Sequence, residues 1–206
     1  MTTDTLLHID ADSIRAFSKQ LNEPEWLTAT RLEALELAKQ LELPRVEKTK
    51  INRWKLESFG QFSQDQALQS LEDLPGELKD LAKVAEGAKE RNLIVQRNAS
   101  IVYQELAEEL KQQGVLFTDL HTAAREHPEL VQKYFATVIG KDENKLTALH
   151  TAIWSGGVFL YVPKNTEVKL PIQTLFVTDR AETVFSPHVL IVAEANSSVT
   201  YVSNYT

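Results

Sequence analysis

The chain has 206 residues, 43% of them hydrophobic and 25% charged, which is enough apolar content for one or two ordinary cores. A net charge of -7, with no basic stripe anywhere, argues against a nucleic-acid interface and against attraction to an anionic membrane surface. The chain has no cysteine, so disulfides and thiolate-held zinc or iron–sulfur clusters are excluded, and any cluster chemistry tied to it must take its ligands from elsewhere.

The start, Met1-Thr2-Thr3-Asp4, has neither a basic n-region nor an apolar h-region. Apolar runs such as Val189-Leu190-Ile191-Val192-Ala193 fall far short of the ~20 residues a membrane span needs. The expected location is the cytoplasm.

Asp12 is placed to cap a helix running to Leu21, with Ile14, Phe17 and Leu21 on one face. Pro24 stands where a second helix should open, with Leu27, Ala34, Leu35, Ala38 and Leu41 on its apolar side and Pro44 ending it. Residues 45–62 have no clear period; Trp54 and Phe59 make them an ordered loop or short strand. Residues 63–90 are polar and read as a mobile connection with a weak helix after Pro75. Leu93–Arg97 and Ser100–Tyr103 read as strands around Asn98-Ala99. A short helix through Leu106 and Leu110 should end at Gly114. Thr118 can cap a helix through Arg125. Pro128 opens another, with Leu130, Val131, Tyr134, Phe135 and Val138 inward, and a last helix carries Leu146, Leu149, Ile153 and Trp154 to Ser155-Gly156-Gly157.

Beyond Ser155 the composition changes. β-Branched residues dominate, and strands are expected at Val158–Val162, Val168–Val177, Val189–Ala193 and Val199–Val202. Their pattern fits a sandwich, a barrel or a solenoid, with no repeat clear enough to decide. Tyr205-Thr206 falls inside a strand-like run with no cap, from which a continuation of the chain is expected.

The segment from Asn144 to Lys164, NKLTALHTAIWSGGVFLYVPK, resembles the hallmark of the SufB/SufD family. Glu23-Pro24-Glu25-Trp26-Leu27 with Arg31 and Ala34, Leu43-Pro44 with Trp54, and Gly114–Leu120 followed by His127–Val131 are similar to the same family. The short N-terminus and Leu43-Pro44 favour its SufD branch. The resemblance implies an α+β fold: a mainly helical N-terminal domain over 1–155, with a mobile stretch near 63–90, then the first coils of a right-handed parallel β-helix over 156–206. Trp154, Ser155, Gly156, Gly157 and Pro163 would form the structural joint between the two. It further implies a non-catalytic scaffold that works with a SufB-type subunit and a SufC-type ATPase, supplied with sulfur by a cysteine desulfurase. The iron–sulfur cluster and ATP would be handled by the partner subunits, with no cofactor in this chain. The family's ATPase-binding and interface residues would lie beyond Thr206, so no catalytic residue is carried over.

Apart from that resemblance, the sequence carries few signatures of chemistry. Ser155-Gly156-Gly157 lacks the lysine of a phosphate loop, and no Gly-x-Ser-x-Gly occurs. Of the five histidines, His8, His121, His127, His150 and His188, none pairs at one-turn spacing. His121 and His127 lie near Glu126 and Glu129, but His127 is better explained as the residue that precedes Pro128 and caps a helix. His150 should pack near the joint. His188 is the weak candidate for a metal contact, motivated only by the family's link to iron. Carboxylate pairs such as Glu108-Glu109 read as solvated surface. Trp26 and Trp154 read as core, with Trp54 undecided. Two other readings stay open: a β-helix enzyme acting on polysaccharide, and a fragment that self-associates through its last strand.

Overall fold

Helix formation begins at Asp10, two residues before the aspartate expected to cap it. The Asp10 carboxylate accepts the Ser13 amide at 2.8 Å, and Ser13 Oγ accepts the Asp10 amide at 3.2 Å, closing a capping box. Asp12 therefore lies in the first turn of α1 (Ala11–Gln20), where its charge favours the helix dipole. Ile14 and Phe17 are buried, as their spacing predicts.

The computed structural model describes residues 7–54, 56, 58–82 and 91–206. By contact they form two units. The first comprises Met1–Phe62, His121–Ser155 and Ala181–Ser186; the second comprises Ser63–Leu120, Gly156–Arg180 and Pro187–Thr206. Residues 63–120 thus group with the strands and not with the helices, because their own strands are hydrogen-bonded to the later ones.

In the first unit, α2 (Glu25–Gln40) follows Pro24, which occupies the N-cap position rather than the first helical one. The helix buries Leu27, Ala34, Leu35 and Ala38 together with the charged Arg31. It packs on α7 (Lys145–Ile153), which is capped by Asn144 through the amides of Leu146 and Thr147. Small residues at this contact, Ala34, Ala38, Ala148 and Ala152, are buried among Ile14, Leu35, Leu149 and Ile153. The unit also holds the antiparallel pair β1 (Leu7–His8) and β2 (Ser58–Phe59), a 3₁₀ turn at Ile51–Arg53, α6 (Pro128–Tyr134) and most of α5 (Leu120–Glu126). Residues 181–186 lie against Gln61, whose amide donates to the Glu182 carbonyl and whose carbonyl accepts from Val184. α6 ends at Tyr134, so Val138, expected inward on that helix, is 92% exposed.

In the second unit, a 3₁₀ turn at Leu71–Asp73 and α3 (Gly76–Ala82) occupy part of the stretch expected to be mobile; residues 83–90 lie outside the described residues. β3 (Leu93–Arg97) and β4 (Ser100–Glu105) form the expected hairpin, turned by Asn98 at φ 52°. After α4 (Glu108–Gln112) the chain turns at Gly114. Thr118 does not cap a helix: it lies in β5 (Leu116–Asp119), because pairing with β6 (Gly157–Val162) captures its backbone, and α5 starts only at Leu120. β7 (Ile172–Val177), β8 (His188–Ala193) and β9 (Tyr201–Tyr205) follow.

The fold is α+β, with helices followed by mixed sheets. The sheet orders are β4-β3-β7-β9 and β5-β6-β8, so consecutive strands from β6 to β9 alternate between the two. β6 and β8 are parallel, with Gly157 facing His188 and Val162 facing Ala193, an offset of 31 residues that Glu167 and Ser198 keep. β7 and β9 are also parallel, with Ile172 facing Tyr201. Between these ladders Asn165 and Asn196 both turn at positive φ, and the Asn196 side chain donates through Nδ2 to Asn165 Oδ1 at 2.9 Å. Ile94, Phe117, Val158, Leu160, Val162, Val168 and Ile172 fill the core of the unit. No helix among the described residues is long and apolar enough to cross a membrane.

Candidate functional site

Residues 154–163, expected to form the joint, are held by burial, hydrogen bonds and close backbone approach. α7 ends at Ile153, and its C-cap Trp154 is fully buried and leaves helical geometry at ψ 141°. Ser155 is also fully buried. Its amide donates to the Ser186 carbonyl at 2.9 Å, and its hydroxyl oxygen accepts the Ser186 amide at 3.3 Å. His150, one turn earlier, places Nδ1 3.0 Å from Ser186 Oγ. Burial, aided by the charge of Arg31, holds its imidazole below the usual value and so favours the neutral ring.

On the strand side, Gly156 and Gly157 have φ of 67° and 97°. A Cβ on Gly156 would come 2.5 Å from the Gln96 side chain, and one on Gly157 would overlap the backbone of His188. Both glycines are therefore required twice, by backbone angle and by space. The buried Gln96 accepts the Gly157 amide through Oε1 at 2.6 Å. Pro163 ends β6, and its carbonyl accepts the Thr166 amide.

Trp154 is held from behind by a buried ionic cluster that the sequence reading missed. The guanidinium of Arg31 lies 4.3 Å from the Trp154 ring and 5.1 Å from that of Phe17. It donates to Glu23 through Nε at 2.9 Å and Nη2 at 2.7 Å, and to the Ala152 carbonyl through Nη1 at 3.1 Å. Ser18 Oγ donates to Glu23 at 2.6 Å, and His121 Nδ1 lies 2.9 Å from the same carboxylate. The His121 ring stacks on Trp154 with centroids 4.3 Å apart. Burial works to raise the Glu23 pKa, but the hydrogen bond from His121 and the charge and hydrogen bonds of Arg31 overcome it and bring it down to about 2. Glu23 and Arg31 are eight residues apart, but His121 joins them from about a hundred residues further on. The available signal was Arg31 itself, an arginine at a position where α2 turns its apolar face inward.

The other candidates disperse. His127 occupies the N-cap position of α6 without a side-chain cap, and Pro128 alone sets that start. His188 opens β8, half-buried, with its backbone opposite Gly157. His8 lies in β1. Among the described residues, no group of three or more His, Cys, Asp or Glu side chains is placed to hold a metal ion. Trp26 is half-buried and meets Phe135 edge-on, whereas Trp54 is 54% exposed.

A family model described as the SufBD protein N-terminal region matches residues 14–174. The iron–sulfur cluster assembly protein SufD of Bacillus subtilis is 47% identical over 207 aligned residues, covering 100% of this chain and 47% of that protein. Iron–sulfur cluster assembly SufBD family proteins of Mycobacterium bovis and Staphylococcus aureus are 34% and 32% identical, covering 92% and 94% of this chain. The alignments cover 23% and 43% of those two proteins, so the chain spans less than half the length of each of these relatives.

Proposed function

The chain belongs to the SufBD family, and on that premise we propose that the complete protein is a SufD-type scaffold subunit of iron–sulfur cluster assembly. It acts by contact, without making or breaking bonds itself. Its partners are a SufB-type subunit and a SufC-type ATPase. Sulfur comes from a cysteine desulfurase, the cluster and ATP are handled by the partner subunits, and the assembly works in the cytoplasm.

The observation that carries this reading is the register of the stacked strands. Parallel pairing at a 31-residue offset starts at Gly157, within the segment that resembles the family's joint. The alternation of β6, β7, β8 and β9 between two sheets, with Asn165 bonded to Asn196, supports reading them as the first two coils of a right-handed parallel β-helix. A rigid stack of this kind offers a long surface for a second β-helix, which is what a contact-acting subunit needs. His188 is where an iron contact would be tested; unchanged iron recovery from a complex carrying His188→Ala removes that residue from the proposal.

Co-expression of the tagged full-length protein with SufB- and SufC-type subunits tests the reading. Elution of all three as one stoichiometric species is expected. Elution of the tagged protein alone, with both partners soluble, overturns it.

A further inference from the structure

β4 is an edge strand of its four-stranded sheet. An open edge is a template for pairing with another chain. Two features blunt this one. First, its register with β3 passes from Ile101 opposite Gln96 to Tyr103 opposite Val95, leaving Val102 without a cross-strand partner. That is a β-bulge, which interrupts the edge. Second, residues 63–68 run along it. The Leu68 amide donates to the Val102 carbonyl at 2.7 Å, and the Asp65 amide donates to Ser100 Oγ at 2.9 Å. Ser100 in turn donates to the Ser63 carbonyl at 3.1 Å.

The guard is anchored by charge as well. The Asp65 side chain, 7% exposed, accepts from Asn98 Nδ2 at 3.1 Å and from Arg180 at 2.8 Å. Leu68, Leu71 and Leu74 pack on Leu93, Val95, Val102, Leu175 and Val177, so the same segment continues over the sheet's outer face. These polar residues, which as sequence read as a flexible connection, hold specific backbone and side-chain partners.

We propose that residues 63–68 are an edge guard that keeps β4 closed to antiparallel pairing with the β4 of a second copy of this chain. Self-pairing is the relevant hazard because an edge strand meeting its own copy makes a two-fold contact with the same patch on both sides.

The test uses the full-length protein carrying Asp65→Ala and Ser100→Ala together, compared with wild type. Two readouts are followed: the exchange rate of the Leu68 amide hydrogen, and the weight-average mass over a hundredfold range of concentration. The proposal expects Leu68 exchange to accelerate at least tenfold, and the variant's mass to rise with concentration beyond that of wild type. Adding Gln104→Lys, a charge at an exposed position on β4, should return the mass to the wild-type curve. A folded variant whose mass follows wild type at every concentration overturns the proposal, as does association that survives Gln104→Lys. If the double variant does not fold, Ser100→Ala alone, which keeps the Asp65 bonds to Asn98 and Arg180, is read by the same measurements with the same criteria.

Discussion

The side chain of Gln96, fully buried, accepts the Gly157 amide at 2.6 Å and donates to the Asn98 carbonyl at 2.8 Å. One glutamine thereby ties the first residue of β6 to the turn that closes β3. Gln96→Leu keeps the bulk and removes both bonds, leaving a buried donor and a buried acceptor without partners. The expected loss is about 2–4 kcal/mol, read as a lower urea midpoint with an unchanged slope.

The two glycines beside it should differ in tolerance. An added Cβ at Gly156 meets the far end of the Gln96 side chain, whereas at Gly157 it meets the His188 main chain. The Gln96 side chain can shift at the cost of its two hydrogen bonds, whereas a paired strand cannot shift without losing its register. Gly157→Ala should therefore destabilise by more than about 3 kcal/mol, and by more than Gly156→Ala, in thermal melts of the two soluble variants.

Glu23 stabilises the fold through its charge. Glu23→Gln keeps the shape but leaves the Arg31 guanidinium buried without a counter-charge, for an expected loss of about 3–5 kcal/mol in denaturant titration at neutral pH. The same group sets a pH dependence. Its folded-state pKa, about 2, lies below the ordinary glutamate value of 4.5, so its contribution is complete above pH 4.5 and is lost as the pH falls toward 2. The stability gap between wild type and Glu23→Gln should accordingly narrow over that window, a comparison that cancels the other carboxylates.

Much of the architecture was legible because it rests on local pattern. The apolar spacing of α2, the Asn98 turn and the Ser155-Gly156-Gly157 break each carry their signal within a few residues. The misses share a different origin. Thr118 looks like a helix cap until β6 pairs with its strand. Arg31 stands on the apolar side of α2, but nothing local shows that the fold brings Ser18 and His121 to its partner Glu23 and sets the His121 ring on Trp154. The 31-residue register was hidden because Val158-Phe159-Leu160 and Val189-Leu190-Ile191 share only apolar character; Asn165 and Asn196, whose side chains bond across the two coils, were its clearest trace.

The tryptophans give a contrast that needs no partner protein. Trp154 is fully buried against Arg31 and His121, so Trp154→Ala should destabilise by about 3–5 kcal/mol in denaturant melts. Trp54 is 54% exposed, and Trp54→Ala should stay within about 0.5 kcal/mol of wild type by the same measurement.

The most direct test of a scaffold that works by contact is cluster formation by a reconstituted system of SufB- and SufC-type subunits, a cysteine desulfurase, iron, ATP and the full-length protein, followed by visible absorbance. Omitting the full-length protein should slow cluster formation, restoring it should recover the rate, and the protein with iron and sulfide but no partners should accumulate no cluster. An unchanged rate on omission, or catalytic turnover by the isolated protein, would contradict the account.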